Sequence, residues 1–153
     1  MALNDEVEQL RRVPLFAKFP NAKLKLLAFT SGLVNFPDGK TLFHQGDMAD
    51  AAYVLLSGSA DVLIESPTGP IKVDTIAANS IVGEIGILCD VVRTATVKTA
   101  EPVRALRIRK DDFLKLLAES PEMTIEIIKV LAERLNHTTV ALSEARSQLR
   151  QRG

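Results

Sequence analysis

Between Leu33 and Arg109 the chain breaks into short β-rich runs separated by turn residues. The runs are Leu33–Phe36, Thr41–His44, Ala52–Leu56, Ala60–Ile64, Ile71–Ile76, Arg93–Thr99 and Val103–Ile108. Pro37-Asp38-Gly39, Gln45-Gly46-Asp47, Ser57-Gly58-Ser59 and Ser66-Pro67-Thr68-Gly69-Pro70 stand between them. Many short strands at roughly 8–12-residue spacing indicate a sandwich, barrel or jelly roll. On either side the texture is helical. Asn4 or Asp5 is expected to cap a short helix carrying Val7, Leu10 and Val13, and Asn21 a second one with Leu24, Leu27 and Ala28 on one face. Gly32 stands where a left-handed C-terminal residue belongs. Asp111 is expected to cap another short helix through Leu117, and Ser120-Pro121 opens a long one that nothing breaks before about Arg150. The expected fold is α+β and a single domain, 1–153. Short N-terminal helices span 1–32, an antiparallel β-roll or jelly roll of about eight strands spans 33–109, and helices, the last one long, span 110–150.

Charge and cysteine content narrow the function. Lys plus Arg and Asp plus Glu are each 19, a formal net charge of zero, which argues against direct binding of nucleic acid or an anionic membrane surface. A small anion held by one or two arginines stays open. Cys89 is the single cysteine, so no disulfide within the chain and no Cys-rich zinc site can form. It is expected to be a small, buried or half-buried thiol in a reducing compartment. The acidic start, Met-Ala-Leu-Asn-Asp-Glu, is not a signal peptide, and the longest apolar stretch, Ala51 to Leu56, is far short of the ~20 residues that cross a bilayer. A soluble, cytoplasmic chain is expected. There is no Gly-x-Ser-x-Gly elbow and no Walker loop. The two histidines, His44 and His137, fall on an early strand and in the long helix, so no metal site is expected.

The informative segment is Val82-Gly83-Glu84-Ile85-Gly86-Ile87-Leu88-Cys89-Asp90-Val91-Val92-Arg93-Thr94-Ala95. Two glycines three apart open a short apolar segment. If it makes a helical turn, its first amides lack internal partners, and the glycines let an anion approach the backbone. Arg93, nine residues after Glu84, is expected to begin a β-run and to supply a bidentate fork beside those amides. Glu84 fits beside an anion if it accepts from neighbouring hydroxyls, as a ribose would supply. A turn before a strand with a solvated Arg–Glu pair fits the same spacing, and spacing alone does not choose.

Gly83-Glu84-Ile85-Gly86-Ile87-Leu88 followed by Arg93-Thr94-Ala95 resembles the phosphate-binding cassette (82–95 here) of cyclic nucleotide-binding domains. Phe43-His44-Gln45-Gly46-Asp47 and Tyr53-Val54-Leu55-Leu56-Ser57-Gly58-Ser59-Ala60 resemble the two glycine turns that precede the cassette in that family. The resemblance covers about residues 10 to 145 and is closest to the sensor domains of the bacterial cAMP receptor protein family. It implies that Arg93 pairs with a cyclic phosphate, with the amides of Gly83, Glu84 and Ile85 and the Thr94 hydroxyl and amide completing the cradle. It implies that Glu84 accepts from the ribose 2′-hydroxyl and that Phe43, Val62 and Val73 form apolar walls around ribose and base. It further implies that Arg134 meets Glu84 and that Thr138 and Thr139 meet the adenine amino group. The chain departs from the family pattern at Gly86, where most cassettes have Ala or Ser, at Val92, where many have Pro, and at Asn79-Ser80, where Gly-Asp is usual. Asn tolerates the left-handed conformation, so the last turn can survive.

In the long helix, Ile128, Leu131, Leu135, Thr138, Leu142, Ala145 and Leu149 follow a 3-4-3-4-3-4 spacing, the pattern of a coiled-coil seam. A parallel homodimer is expected. The chain stops at Gly153, about four residues after Leu149, which reads as a free-standing sensor module without a DNA-binding or catalytic domain. The expectation is a non-enzymatic cyclic mononucleotide sensor that needs no cofactor. Its ligand is cAMP, with cGMP as the alternative because the Thr94 hydroxyl could also reach a syn guanine. Two other readings stand beside it. One is a ligand-free interaction domain of the same fold, which intact Gly83, Glu84, Arg93 and Thr94 disfavour. The other is a cupin-like enzyme, which the scarcity of histidines disfavours. The sequence names no downstream protein partner.

Overall fold

The computed structural model describes residues 2–152. Eight strands form two four-stranded antiparallel sheets. One has the order β1 (Gly32–Phe36), β8 (Val103–Arg109), β3 (Ala51–Ser57), β6 (Ser80–Val82); the other β2 (Thr41–Phe43), β7 (Thr96–Thr99), β4 (Ser59–Ile64), β5 (Ile71–Ala77). Helices α1 (Ala2–Arg11) and α2 (Asn21–Thr30), with a 3₁₀ turn at Pro14–Phe16 between them, precede the roll. Helix α3 (Glu84–Leu88) interrupts it, and α4 (Lys110–Glu119) and α5 (Pro121–Arg152) follow. This is the α+β roll expected from the pattern of runs.

Strand β3 shows why the apolar run Ala51–Leu56 is the longest in the chain. Its side chains alternate between two cores. Ala52, Val54 and Leu56 pack with Leu106 and Ile108 under the helices, against Leu10, Phe16, Leu24, Phe113, Met123 and Ile127. Ala51, Tyr53 and Leu55 face Val97, Val103 and Ala105 between the sheets. A strand covered on both faces has no place for a polar residue, and its backbone becomes a fixed reference for whatever lies at its start.

Local details correct several expectations. Asn21 caps nothing: Pro20 is the cap residue of α2, and Asn21 instead accepts from Arg11. Gly32 does not adopt a left-handed conformation, because the chain leaves α2 through an extended Ser31 straight into β1. Helix α4 starts at Lys110, with Asp111 inside its first turn rather than at the cap. Arg93 begins no strand, since β7 starts three residues later at Thr96. The three-residue β6, absent from the β-rich runs of the sequence, pairs with Tyr53–Leu55. Cys89 is exposed, not buried. Pro121 does occupy the first position of α5, and Asn79 does take the left-handed conformation, φ 67°. Helix α5 anchors through Met123 and Ile127 and then leaves the body: every residue from Ala132 to Gln151 is exposed. Among the described residues no helix is long and apolar enough to cross a membrane.

Candidate ligand-binding site

Gly83 sets the site. It precedes α3 with φ 87°, a conformation that glycine adopts without the Cβ penalty of other residues. A Cβ there would lie 2.6 Å from Arg93 Nη1, 3.2 Å from Phe43 Cε2 and 3.3 Å from the Ala51 carbonyl. The missing side chain is the space into which the arginine fits. Gly86 is required by packing instead: a Cβ on it would meet Ala49 Cβ at 2.6 Å, which accounts for glycine at this position.

Arg93 sits in the loop between α3 and β7 and is only 3% exposed. Its backbone is clamped to the first glycine turn: its N–H donates to the Asp47 carbonyl and its carbonyl accepts from Gly46 N–H, both at 2.8 Å. The guanidinium donates to the Gly83 carbonyl at 2.7 Å and to the Ala51 carbonyl at the start of β3. Nη2 also reaches Asp50 Oδ1 at 3.5 Å. Asp50 in turn accepts from Arg107 at 3.1 Å. Burial pushes the Arg93 pKa below its ordinary value, an effect opposed by Asp50, Tyr53 and Asp47. The guanidinium still has a donor to give. Arg93 Nε is the one buried side-chain nitrogen or oxygen among the described residues that has no partner.

Glu84, the first residue of α3, is 3% exposed and accepts from Arg134 Nη1 at 2.8 Å. This pair joins the cassette to α5, as the sequence resemblance implied. Arg93, Glu84, Gly83, Ile85, Thr94, Phe43, Val62 and Arg134 all line one cleft of about 370 Å³. The cleft has two arginines, two carboxylates (Glu84 and Asp74), the backbone of the α3 start and an apolar side from Phe43, Val62, Ile76 and Val97. That combination suits a ligand with an anionic group, neighbouring hydroxyls and a flat apolar body.

Three expected residues are not in the cleft wall. Val73 is 53% exposed and does not line the cleft. The β4–β5 pairing shifts there: Val62 opposes Asp74 and Leu63 opposes Lys72, so Val73 is the extra residue of a bulge. Asp74, two residues before Ile76 on the same strand face, lines the cleft in its place. Thr138 and Thr139 lie on the exposed part of α5, one turn beyond Arg134, and the Thr139 hydroxyl donates back to the Leu135 carbonyl at 2.8 Å. Asp50 was missed as a partner of Arg93; nothing in its sequence context marks it, because its role depends on where β3 begins relative to the cassette.

Comparison with known proteins agrees with this geometry. The family model for the cyclic nucleotide-binding domain matches residues 33–120. The CRP-like cAMP-activated global transcriptional regulator of Mycobacterium tuberculosis is 30% identical over 138 residues, covering 90% of this chain and 62% of the regulator. The chain therefore spans less than two thirds of that relative. The N-terminal domain of a transcriptional regulator from Streptomyces coelicolor superposes with a TM-score of 0.72 at 31% identity, over 87% of this chain and 96% of that domain. The sensor domain of the transcriptional regulator DNR from Pseudomonas aeruginosa superposes with a TM-score of 0.80 over 90% of this chain and 93% of that one. At 23% identity that likeness is one of fold.

Proposed function

The chain belongs to the cyclic nucleotide-binding domain family, and on that premise we propose that it is a non-enzymatic cAMP sensor. The observation that carries the proposal is the buried Arg93 guanidinium, fixed by two backbone carbonyls beside the left-handed Gly83, with Nε still lacking an acceptor. A cyclic phosphate supplies that acceptor and neutralises the charge. The amides of Gly83, Glu84 and Ile85 and the Thr94 hydroxyl complete the cradle, and Glu84 accepts from the ribose 2′-hydroxyl. Val62 and the Phe43 ring bound the apolar side. Arg134 is already joined to Glu84, so a ligand that engages Glu84 acts on α5 through the same carboxylate. Movement of α5 toward the cleft brings Thr138 and Thr139 to the base and is the output.

The exposed seam on α5 supports a homodimer. A cytoplasmic setting, which suits the lone Cys89, belongs to the same proposal. The relative from Mycobacterium tuberculosis is described as cAMP-activated, which favours adenine over guanine.

Calorimetric titration of the chain with cAMP, cGMP and a cyclic dinucleotide tests the proposal. One cyclic mononucleotide per chain is expected, with cAMP the tighter. Tighter cGMP would move the ligand to guanine, and silence toward both mononucleotides would overturn the sensor.

A further inference from the structure

Phe43 does something that an apolar wall does not require. Its ring centroid lies 4.0 Å from Arg93 Cζ, so the guanidinium carbon sits over an aromatic face inside the protein. Tyr53 backs the ring at 6.2 Å with planes 28° apart, and Phe36 packs edge-on against Tyr53 at 5.9 Å. Strand β3 carries Tyr53, β1 carries Phe36 and β2 carries Phe43. The stack thus ties the guanidinium to both sheets. The carbonyls of Gly83 and Ala51 fix the two Nη ends. Those contacts restrain tilt of the guanidinium plane about the line joining the two ends only loosely, and the ring over Cζ limits that tilt. A cation buried away from water gains most from the negative face of a ring.

We infer that Phe43 is the positioning residue of the anion site: its face sets the plane of the Arg93 guanidinium and so the direction of the unpartnered Nε–H. The inference rests on the cyclic-nucleotide reading for its ligand and assigns Phe43 a role toward Arg93 in addition to its place in the apolar wall.

The test compares Phe43→Leu, which keeps an apolar side chain but removes the aromatic face, with Phe43→Tyr, which keeps the face. Phe43→Leu should weaken cAMP binding about tenfold, with Phe43→Tyr close to wild type. Adenosine, which has the ribose and base but no phosphate, should lose much less affinity than cAMP on Phe43→Leu. A wall around the base and nothing more predicts an equal loss for both ligands. In an Arg93→Lys background, Phe43→Leu should cost cAMP binding much less than it does alone; an undiminished loss there would overturn the inference.

A second readout needs no ligand and no change in stability. The Arg93 Nε–H group, identified by its disappearance in Arg93→Lys, should be rigid by ¹⁵N relaxation in wild type and in Phe43→Tyr. In Phe43→Leu its order parameter should fall. An Nε–H order parameter that is unmoved by Phe43→Leu overturns the inference. If the wild type binds no cyclic nucleotide, the sensor reading falls, and this signal alone decides whether Phe43 orients Arg93.

Discussion

Arg93 Nη1 donates to the Gly83 carbonyl at 2.7 Å, and the Cβ that Gly83 lacks would stand 2.6 Å from that same nitrogen. The cassette glycine and the cassette arginine therefore occupy one another's space, ten residues apart in sequence. Gly83→Ala should act twice. The left-handed backbone alone destabilises by about 1–2 kcal/mol. The displaced guanidinium then loses its carbonyl partner, so cAMP affinity should fall well beyond what the stability change explains. Thermal unfolding and titration of the same sample check both parts, and a variant that binds as wild type would show that the guanidinium has room to move.

Arg93 itself is both ligand group and structural hub. From sequence alone, its replacement is expected to leave folding little changed. The buried hydrogen bonds alter that expectation. Arg93→Leu should weaken cAMP binding by about 2–5 kcal/mol, roughly 30-fold or more. It should also lower stability by about 1–3 kcal/mol, because the carbonyls of Gly83 and Ala51 lose their donor. Urea unfolding separates the second effect from the first. Unchanged affinity would remove the cassette assignment.

Much of this was legible in the sequence because turns and strands announce themselves locally. The seven β-rich runs all yielded strands, and Gly83, Glu84, Ile85, Arg93 and Thr94 fall in one short segment whose two ends the fold brings together. What was not legible depends on register. Val73 is the extra residue where β5 shifts against β4 and stands exposed, and Asp74, Thr75 and Ile76 line the cleft instead. Asp50 meets Arg93 only because the start of β3 lies beside the cassette. A lone cysteine without a histidine partner reads as a small buried or half-buried thiol, yet Cys89 stands exposed at the C-terminal cap of the five-residue α3. The placement of Phe43 over Arg93 required both residues to be known as neighbours, across fifty positions.

Glu84 is held by Arg134 while being almost fully buried. Glu84→Gln keeps the shape and one acceptor but loses the charge. It should weaken cAMP binding by about 1–3 kcal/mol, since a charge-assisted hydrogen bond becomes a neutral one. The 2′-deoxy analogue already lacks the hydroxyl, so the same substitution should change its affinity much less. Wild-type protein that binds the 2′-deoxy analogue as tightly as cAMP would remove Glu84 from the ribose contact.

The exposed stretch of α5 leads to the last prediction. Ile128, Leu135, Leu142 and Leu149 recur every seven residues, and each is between 54% and 68% exposed. An unpaired helix that leaves the body at Ala132 and carries such a stripe is marginal alone in water. Two copies laid side by side bury the stripe, and the polar Thr138 and small Ala145 within it leave the packing loose enough to respond to ligand. Leu142→Lys combined with Leu149→Lys places like charges across a two-fold seam and should abolish the dimer. Neither residue touches the cleft, so phosphate and ribose contacts should persist and a residual affinity should remain. Any loss of affinity that accompanies monomerisation then measures what the paired helices add at Thr138 and Thr139. Sedimentation of wild type and double variant, with and without cAMP, followed by titration, reads both quantities. A wild-type chain that sediments as a monomer at tens of micromolar in both conditions would exclude the dimer and leave closure of α5 on its own cleft as the mechanism.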